Sequence, residues 1–469
     1  MKWIFSFLLL GLLNLAEAAS SSGNRLLVVL EELADKAKYS KYFGDLEARD
    51  FELFFESPKS ETLGLFNLGE RVFDHLLILP PKSKGLGPNL TPKILLDFIN
   101  TGGNILLTLS SSHPAPTGLV SLLLELDIHL PPDRNALVVD HFNYDTISAS
   151  EAHDVILVPR PNALRPDVKN FFGGDGLIAL PKSVGQTLGN NSPLLAPILR
   201  APRTAYSYNP KDEAEGAEDP FEVGQQLSLI TTMQARNSAR LTVVGSAEMF
   251  EDQWFDAKVK KSAGLDGEGK DAKQTTAVNR AFAKDVTGWA FNEIGVLKVV
   301  KIEHTLNEVG VTNEMNPKIY RVKNDVTYSI EVSEYSWTHW TPFALPSSDA
   351  LQLEFSMLSP FHRLSLPAVA TTPNSTVFST SFKLPDQHGI FNFKVNYKRP
   401  FLSNIEEKEA VTVRHFAHDE WPRSWVISGA WPWIAGIGVT VTGWLAFVAL
   451  WLWSKPVALK LDASGKKIQ

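Results

Sequence analysis

An uncharged apolar segment near the C-terminus limits the folds open to this chain more than any other feature. Trp433 to Trp453 is a run of 21 residues without an Asp, Glu, Lys or Arg. As a helix rising 1.5 Å per residue it would be about 31 Å long, which matches the hydrocarbon core of a bilayer. Tryptophans stand at both ends of the run, where indole rings prefer the headgroup level. The segment predicts one membrane-spanning helix within a region at 425–453.

Three glycines, Gly436, Gly438 and Gly443, interrupt the apolar run. Glycine on a membrane helix lets a second helix approach closely, so these positions predict a packing face for a partner helix. The alternative is that they reflect only the general frequency of glycine in transmembrane helices. The sequence leaves both interpretations open.

The two ends of the chain predict its topology. Lys2 precedes a short apolar run, and Ala16 and Ala18 are the small residues of a signal peptidase site, which predicts cleavage after Ala18. The 16 residues after the apolar segment contain four Lys and one Asp, and such positive charge favours the cytoplasmic side. We therefore expect a single-pass type I protein with most of its chain in the lumen of the secretory pathway.

The last four residues carry a candidate retrieval signal. Lys466 and Lys467 stand at the fourth and third positions from the C-terminus. On a short cytosolic tail they resemble the K-K-x-x address by which coatomer returns type I proteins to the endoplasmic reticulum, and such an address is read by a receptor. This pattern predicts an endoplasmic reticulum membrane protein whose tail binds coatomer.

Three N-x-S/T sequons fall in the predicted lumenal part, at Asn89, Asn190 and Asn374. They accept a glycan only if they are exposed, and the alternative is an unmodified loop asparagine. Pro92 directly follows the Asn89 sequon and tends to impair its use. Asn190 and Asn374 are therefore the better candidates.

Composition excludes several classes of protein. The chain has 469 residues, is 44% hydrophobic and 21% charged, and carries a formal charge of −7, which argues against a nucleic-acid-binding protein. It contains no cysteine, which excludes disulfides, Cys-ligated metal sites and a Cys nucleophile. Its length allows two or three domains.

The N-terminal part alternates apolar runs with helical stretches, which predicts an α/β domain with a mostly parallel, Rossmann-like sheet. Thr91 and Pro92 have the pattern of a helix start, and Gly102-Gly103 that of a helix end. The runs predicted as strands are 25–30, 75–79, 104–109, 155–158 and 241–245.

From about Val299 apolar and polar residues alternate with the period of half-exposed antiparallel strands, which predicts a β-sandwich-like region. Segments with this pattern are 319–323, 326–332, 351–355, 391–397 and 411–414. The predicted organisation is a signal peptide (1–18), an α/β lumenal domain (19–250), a connecting segment (251–298), a β-rich lumenal domain (299–424), the transmembrane region (425–453) and a cytoplasmic tail (454–469).

Two polar clusters are candidates for chemistry. Asp140, His141 and Asp145 could bind a metal or act as acid and base, although Asp at a strand end more often bonds local backbone. Ser110 and His113 follow a predicted parallel strand, where doubly wound folds place active residues, but no G-x-S-x-G elbow is present. We expect neither cluster to be catalytic, and we expect no metal and no cofactor.

Several longer blocks closely resemble the family of the 48 kDa subunit of the eukaryotic oligosaccharyltransferase, and the di-lysine ending is similar to its fungal branch. The resemblance runs from about Asn24 through the apolar segment. The blocks that carry it are 98–107, 138–145, 233–246, 351–363 and 382–397.

The resemblance implies a function that the residues alone do not. It implies a non-catalytic subunit of the complex that transfers a preassembled glycan from dolichyl diphosphate to Asn of N-x-S/T, with the catalytic centre in a separate multispanning subunit. Ribophorin-II-type and DAD-type subunits are the further partners it implies. The N-terminal sheet of the family also looks like glutamine-amidotransferase-like folds, whose Cys nucleophile this chain lacks. The alternatives from other classes are a lumenal cargo or glycan receptor of the early secretory pathway, and an independent lumenal hydrolase.

Overall fold

A computed structural model describes residues 20–189, 192–209, 219–262, 273–308, 314–421 and 428–455. The predicted signal peptide (1–18), the sequon residue Asn190 and the tail lysines Lys466 and Lys467 lie outside the described residues.

The N-terminal half alternates strands and helices. Its helices are α1 (Ser40–Glu47), α2 (Pro92–Asn100), α3 (Thr117–Glu125), α4 (Asp252–Phe255) and α5 (Asn279–Ala290), with 3-10 turns at Leu33–Tyr39, Gly224–Gln226 and Glu248–Phe250. Its strands are β1 (Arg25–Val29), β2 (Glu52–Glu56), β3 (Phe66–Asn67), β4 (Glu70–Arg71), β5 (His75–Ile78), β6 (Asn104–Thr108), β7 (Ile128–His129), β8 (Leu137–Val139), β9 (Val155–Pro159), β10 (Leu177–Pro181), β11 (Thr187–Leu188), β12 (Leu195–Arg200), β13 (Tyr206–Tyr208), β14 (Ser228–Gln234), β15 (Arg240–Val244), β16 (Lys258–Val259) and β17 (Thr275–Thr276).

A seven-stranded sheet organises this half, in the order β12-β14-β15-β6-β5-β1-β2. The five strands from β15 to β2 are parallel, and β14 and β12 add an antiparallel edge. The predicted mostly parallel sheet is thereby confirmed.

One predicted strand lies outside that sheet. β9 pairs antiparallel with β10 in a separate two-stranded sheet. Ile156 belongs to a large apolar cluster under the main sheet, whereas Leu157 belongs to a small separate cluster with Ala179 and Val259. An apolar run that is buried on both faces therefore predicts a strand, but it does not predict whether the neighbouring strand is parallel or antiparallel.

Alternate residues of the central strands supply two cores, one on each face. Leu26 and Leu77 pack with the cluster that contains the buried residues of α1 and α5. Leu27 and Leu76 pack with the cluster that contains those of α2 and α3. Burying one leucine side chain stabilises a fold by roughly 1.5–3 kcal/mol. Strands that are apolar on both faces are therefore most stable when helices cover both faces of the sheet.

Helix α2 shows how local sequence sets its ends. Thr91 Oγ1 accepts a hydrogen bond from the Ile94 backbone N–H at 3.4 Å, and Pro92 occupies the first turn. Beyond the helix, Gly102 has φ +91°, and the N–H of Gly103 donates to Phe98 O at 2.9 Å. The predicted start and end of this helix are both confirmed.

The C-terminal half is built of two five-stranded sheets whose strands are antiparallel except for β19, which pairs parallel with β27. One sheet has the order β18-β20-β25-β24 with β21 beside β20, and the other has the order β19-β27-β26-β22-β23. The strands are β18 (Ile294–Leu306), β19 (Ile319–Arg321), β20 (Asp325–Ser336), β21 (His339–Pro342), β22 (Gln352–Ser356), β23 (Pro360–Ser365), β24 (Ala368–Thr371), β25 (Thr376–Lys383), β26 (Gly389–Tyr397) and β27 (Ile405–Arg414).

These two sheets pack face to face through aromatic rings. The ring of Tyr328, from the first sheet, stacks on Phe393 of the second at a centroid distance of 5.3 Å. Phe355 and Phe391 are stacked within the second sheet at 4.6 Å. The inward residues of both sheets form one buried cluster, so the region is a single β-sandwich.

A buried arginine ties the sandwich to the α/β sheet. Arg240, on β15, donates to the backbone oxygens of Trp289, Ile294 and Gly295 at 2.6–2.7 Å. Trp289 Nε1 in turn donates to the carbonyl of Phe401, in the β26–β27 connection of the sandwich, at 2.8 Å. The connection between α5 and β18 is thus held from both sides.

The apolar segment forms one helix, α6 (Trp431–Trp453), preceded by a 3-10 turn at Ser428–Ala430. It is long and apolar enough to cross a membrane, and its apolar window buries nothing against the described body.

Candidate functional site

The strongest candidate for a binding site is a cleft at the carboxyl edge of the parallel sheet, which is where doubly wound folds place their ligands. The cleft has a volume of about 360 Å³. Its floor is made by residues that follow four neighbouring parallel strands within one to three positions: Leu30, Leu79, Ser110 and Ala247.

A serine and a carboxyl group meet in this cleft. Ser110, just after β6, donates a short hydrogen bond to Glu248 Oε1, just after β15. Burial raises the pKa of Glu248 to about 7, and the Ser110 hydrogen bond opposes part of that rise. The second carboxyl oxygen of Glu248 is buried with no partner among the described residues. The pair offers a hydrogen-bonding group that changes its charge near neutral pH.

Charged groups surround the pair. Lys38 and Lys82 both hydrogen bond to Asp35, and these bonds lower the pKa of that carboxyl group. Burial, and then the charges of the lysines, lower the pKa of His113. The hydroxyl of Ser110 donates to Glu248 and accepts from the Ser112 N–H. It therefore does not form the hydrogen bond to the His113 ring that a serine nucleophile forms to a histidine base.

Asp140 and Asp145 serve the local backbone. Asp140 is fully buried, and its carboxylate accepts from the N–H groups of Phe142 and Asn143 and from the Thr204 hydroxyl. Asp145 accepts from the N–H groups of the two residues at 147 and 148, and from the Lys260 N–H at 2.8 Å. The turn-forming interpretation of both aspartates is therefore supported by their bonds.

His141 lies apart from these two carboxylates. Its Nδ1 contacts Nδ1 of His153, and its Nε2 lies 2.9 Å from the hydroxyl of Tyr206. The His153 ring stacks on Tyr144 at 3.8 Å. Across the described ranges, no group of three or more His, Cys, Asp or Glu side chains is placed to hold a metal ion.

Two partners were missed from the sequence. Glu248 stands 138 residues from Ser110 and His153 stands 12 residues from His141. Glu248 had a usable signal, because an acidic residue three positions after a predicted buried strand belongs to the carboxyl edge of the sheet. His153 precedes β9 in a loop and had none.

The two described sequons differ in exposure. Asn374 is exposed in the turn between β24 and β25. Asn89 is half-buried, and its Nδ2 donates to Ser60 O at 3.4 Å.

The three helix glycines lie on two different faces of α6. At about 100° per residue, Gly436 and Gly443 share a face with Thr440, whereas Gly438 is on another face. A side chain added at any of the three glycines would meet nothing within 4 Å. The Gly438 face carries the small residues Ala435, Gly438, Thr442, Ala446 and Ala449, with Trp431 and Trp453 at its two ends and Leu445 at its edge. A neighbouring face, centred about 120° away, carries Ile434, Ile437, Val441, Trp444, Val448 and Leu452.

Comparison with known proteins gives a consistent family. A model described as the OST48 N-terminal domain matches residues 17–293, and one described as the OST48 middle domain matches residues 306–455.

Relatives match along nearly their whole length. The wbp1 subunit of dolichyl-diphosphooligosaccharide–protein glycosyltransferase from Schizosaccharomyces pombe is 34% identical over 92% of this chain and 93% of its own. The 48 kDa subunits of that glycosyltransferase from Arabidopsis thaliana and Caenorhabditis elegans are 29% and 30% identical, over 96% and 100% of this chain and 98% and 100% of theirs. A solved ThuA-like protein from Parabacteroides merdae covers 47% of this chain and 77% of its own at 11% identity, with a TM-score of 0.24.

Proposed function

The chain belongs to the OST48 family, and from this membership we propose that it is a non-catalytic subunit that assembles and stabilises the oligosaccharyltransferase complex. Its relatives are named as subunits of that glycosyltransferase, so its role is in N-linked glycosylation as a component of the complex. The observation that carries the proposal is the match of two OST48 models to both folded parts and to α6.

We infer that the folded body lies in the lumen of the endoplasmic reticulum, that α6 crosses the membrane once, and that the tail is cytoplasmic. The apolar helix with tryptophans at both ends supports the span. Lys466 and Lys467, on the basic tail, would bind coatomer. The alternative of a cargo or glycan receptor shares this topology but not the family.

The proposed partners are the catalytic multispanning subunit and the ribophorin-II-type and DAD-type subunits. The small face of α6 supports membrane contacts with them, because close backbone approach is what stabilises helix pairs in lipid. The junction at Arg240 supports a scaffold role, since it fixes the α/β sheet and the sandwich to each other.

The cleft supports a binding role rather than group transfer by this chain. A carboxyl group with a pKa near 7 can accept a proton, but the activated nucleophiles of enzymes have a base that a third group orients. Among the described residues no group bonds the second oxygen of Glu248 to orient it toward Ser110. Asp140 and Asp145 are each bound by several local donors.

Affinity purification in digitonin, followed by mass spectrometry and a glycan-transfer assay, tests the proposal. We expect the other subunits in stoichiometric amounts and transfer of dolichol-linked glycan by the complex, but no transfer by the separated chain. Transfer by the chain alone would disprove the non-catalytic role. If the chain instead co-purifies with many different lumenal proteins and without a constant set of membrane subunits, the receptor alternative is favoured.

A further inference from the structure

One end of the β-sandwich is tied closely to the helix that spans the membrane. Strand β27 ends at Arg414, the described chain continues to Trp421, and the turn before α6 begins at Ser428. Seven peptide units join Trp421 to Ser428, and these span at most about 25 Å when fully extended. We call the end of the sandwich at Arg414 the membrane-proximal end.

Three apolar residues lie at that end of the sandwich. Thr412 of β27 lies between Ile319 of β19 and Ile390 of β26, so the two isoleucines flank it on one face of the sheet. Strand β22 pairs with β26 up to Ser356 opposite Asn392, and the β22–β23 turn that follows, with Leu358 in its middle, leaves the sheet at the same end. We call Ile319, Ile390 and Leu358 the apolar row.

All three residues of the apolar row face solvent in the folded chain. Ile319 is 61% exposed, Ile390 is 65% exposed and Leu358 is 99% exposed at the tip of the β22–β23 turn. Trp421 is also exposed, and its ring lies 5.1 Å from Phe416 just beyond β27. Large apolar side chains grouped in this way mark a surface that is covered in the working protein.

Several charged groups at the membrane-proximal end pair with one another. Arg414 donates to both carboxylate oxygens of Glu420 at 2.8 Å, and Lys323 lies 3.0 Å from Asp386. Arg321 pairs with Glu308 at 3.3 Å. These pairs reduce the net charge around the apolar row, so a neutral apolar medium suits this surface better than a charged polymer does.

We propose that the membrane-proximal end dips into the lipid interface, with Leu358 and Ile390 entering the boundary between headgroups and acyl chains. The subunit would then touch the bilayer at a second place besides α6, and this would set the tilt of its folded body. Lipid is favoured as the occupant because Leu358 projects from the tip of a turn at the end of the sandwich from which the chain continues to α6, and binding at a lipid interface strengthens with the apolar area buried there. The inference rests on the proposed membrane span of α6.

The chain contains no cysteine, so single-cysteine variants can be labelled at one position each. The variants are Leu358→Cys and Ile390→Cys in the apolar row, with Val369→Cys as the matched control. Val369 is 67% exposed on β24 of the same sandwich. Its neighbours Ala368 and Thr371 pair with Phe378 and Thr376 at the start of β25. Val369 therefore lies far from the membrane-proximal end, where β25 ends at Lys383. Phe447→Cys, inside α6, reports on the span itself.

Each variant would be purified in its complex, labelled with an environment-sensitive fluorophore, and reconstituted in phosphatidylcholine bilayers containing doxyl-labelled lipid. The cysteine-free parent supplies the background from other subunits. We expect a blue shift and quenching by lipid at 358, 390 and 447, and neither at 369. We also expect the quenching to persist at high salt, because salt screens charges but does not weaken the burial of apolar side chains.

Two outcomes would overturn the inference while leaving the span intact. If the fluorophore at 358 is quenched no more than the one at 369, while the one at 447 is quenched, the apolar row lies outside the lipid. A blue shift at 358 without lipid quenching would show that another subunit covers it. A failure of quenching at 447 would instead disprove the membrane span, and with it the inference that rests on it.

Discussion

At the scale of a single residue, burial sets the chemistry of Glu248. Its pKa lies at about 7 rather than 4.5, because the ionised carboxyl group is costly away from water. A carboxyl group whose pKa is raised in the folded state contributes stability that is complete below pH 4.5 and is lost as the pH rises through 7. The shift corresponds to a loss of about 3 kcal/mol at most.

Replacing Glu248 with Gln should remove this pH dependence. The amide stays neutral, and its oxygen still accepts the hydrogen bond of Ser110. We expect the melting temperature of Glu248→Gln to equal that of the parent chain at pH 4 and to exceed it at pH 8, as measured by intrinsic fluorescence in detergent. In Ser110→Ala the loss of stability should occur at a higher pH than in the parent chain, because the hydrogen bond that lowers the pKa of Glu248 is absent. Equal melting curves for Glu248→Gln and the parent at pH 8 would contradict the assignment.

The exposure of the two described sequons predicts which one carries a glycan. Asn374→Gln should remove one step of gel mobility that endoglycosidase H also removes, because Asn374 is exposed in a turn. Asn89→Gln should leave mobility unchanged, since its amide is half-buried against Ser60. The reverse pattern would show that folded-state exposure does not govern these sites.

Residue patterns predicted local partners well and distant ones poorly. The turns held by Asp140 and Asp145 involve neighbours two or three residues away, and such bonds follow from local chain geometry. The bond between Ser110 and Glu248 depends on β6 and β15 being adjacent in the sheet, which no local pattern states.

At the scale of an element, helix α6 separates one small face from one bulky face. A partner helix is expected on the small face around Gly438, and lipid on the bulky face around Val441. Gly436 and Gly443 lie on neither of these faces.

Substitutions on these faces should therefore act unequally. Gly438→Leu should reduce recovery of the other subunits in digitonin by about tenfold, equivalent to about 1.4 kcal/mol. Val441→Leu, a change on the bulky face of the same helix, serves as the control and should leave recovery unchanged. Quantitative mass spectrometry against the parent chain measures both. Equal recovery with both variants would show that the small face meets no partner.

Periodicity predicted elements better than it predicted their neighbours. The alternating pattern gave the long strands of the sandwich, because each has one buried and one solvated face. The apolar run of β9 gave a strand but not its antiparallel partner β10. Helix α5 packs on the α/β sheet through Phe282, Val286 and Trp289, although it lies in the segment predicted only as a connection.

At the scale of the whole molecule, the junction between the two folded parts is the feature furthest from any sequence pattern. Arg240 stands on β15 within a strand whose residues are otherwise apolar or hydroxyl-bearing, and its guanidinium is fully buried. Burial lowers its pKa to about 9, which still leaves it charged at neutral pH. The charge is held by three backbone carbonyl oxygens and by the face of Trp289 at 4.5 Å.

Arg240→Leu should loosen that junction. Three buried carbonyl groups would lose the guanidinium as a donor, although Trp289 O keeps the Asn292 N–H and Gly295 O keeps the Ser403 N–H. We expect a cost of about 3 kcal/mol to the folded state. Since the carbonyls belong to the segment that joins α5 to β18, we expect thermal unfolding to split into two transitions and proteases to cut near Gly295. Arg236→Leu, an exposed arginine in the β14–β15 turn, is the matched control and should unfold as the parent chain does. A single unchanged transition in Arg240→Leu would show that the two parts are held together without this side chain.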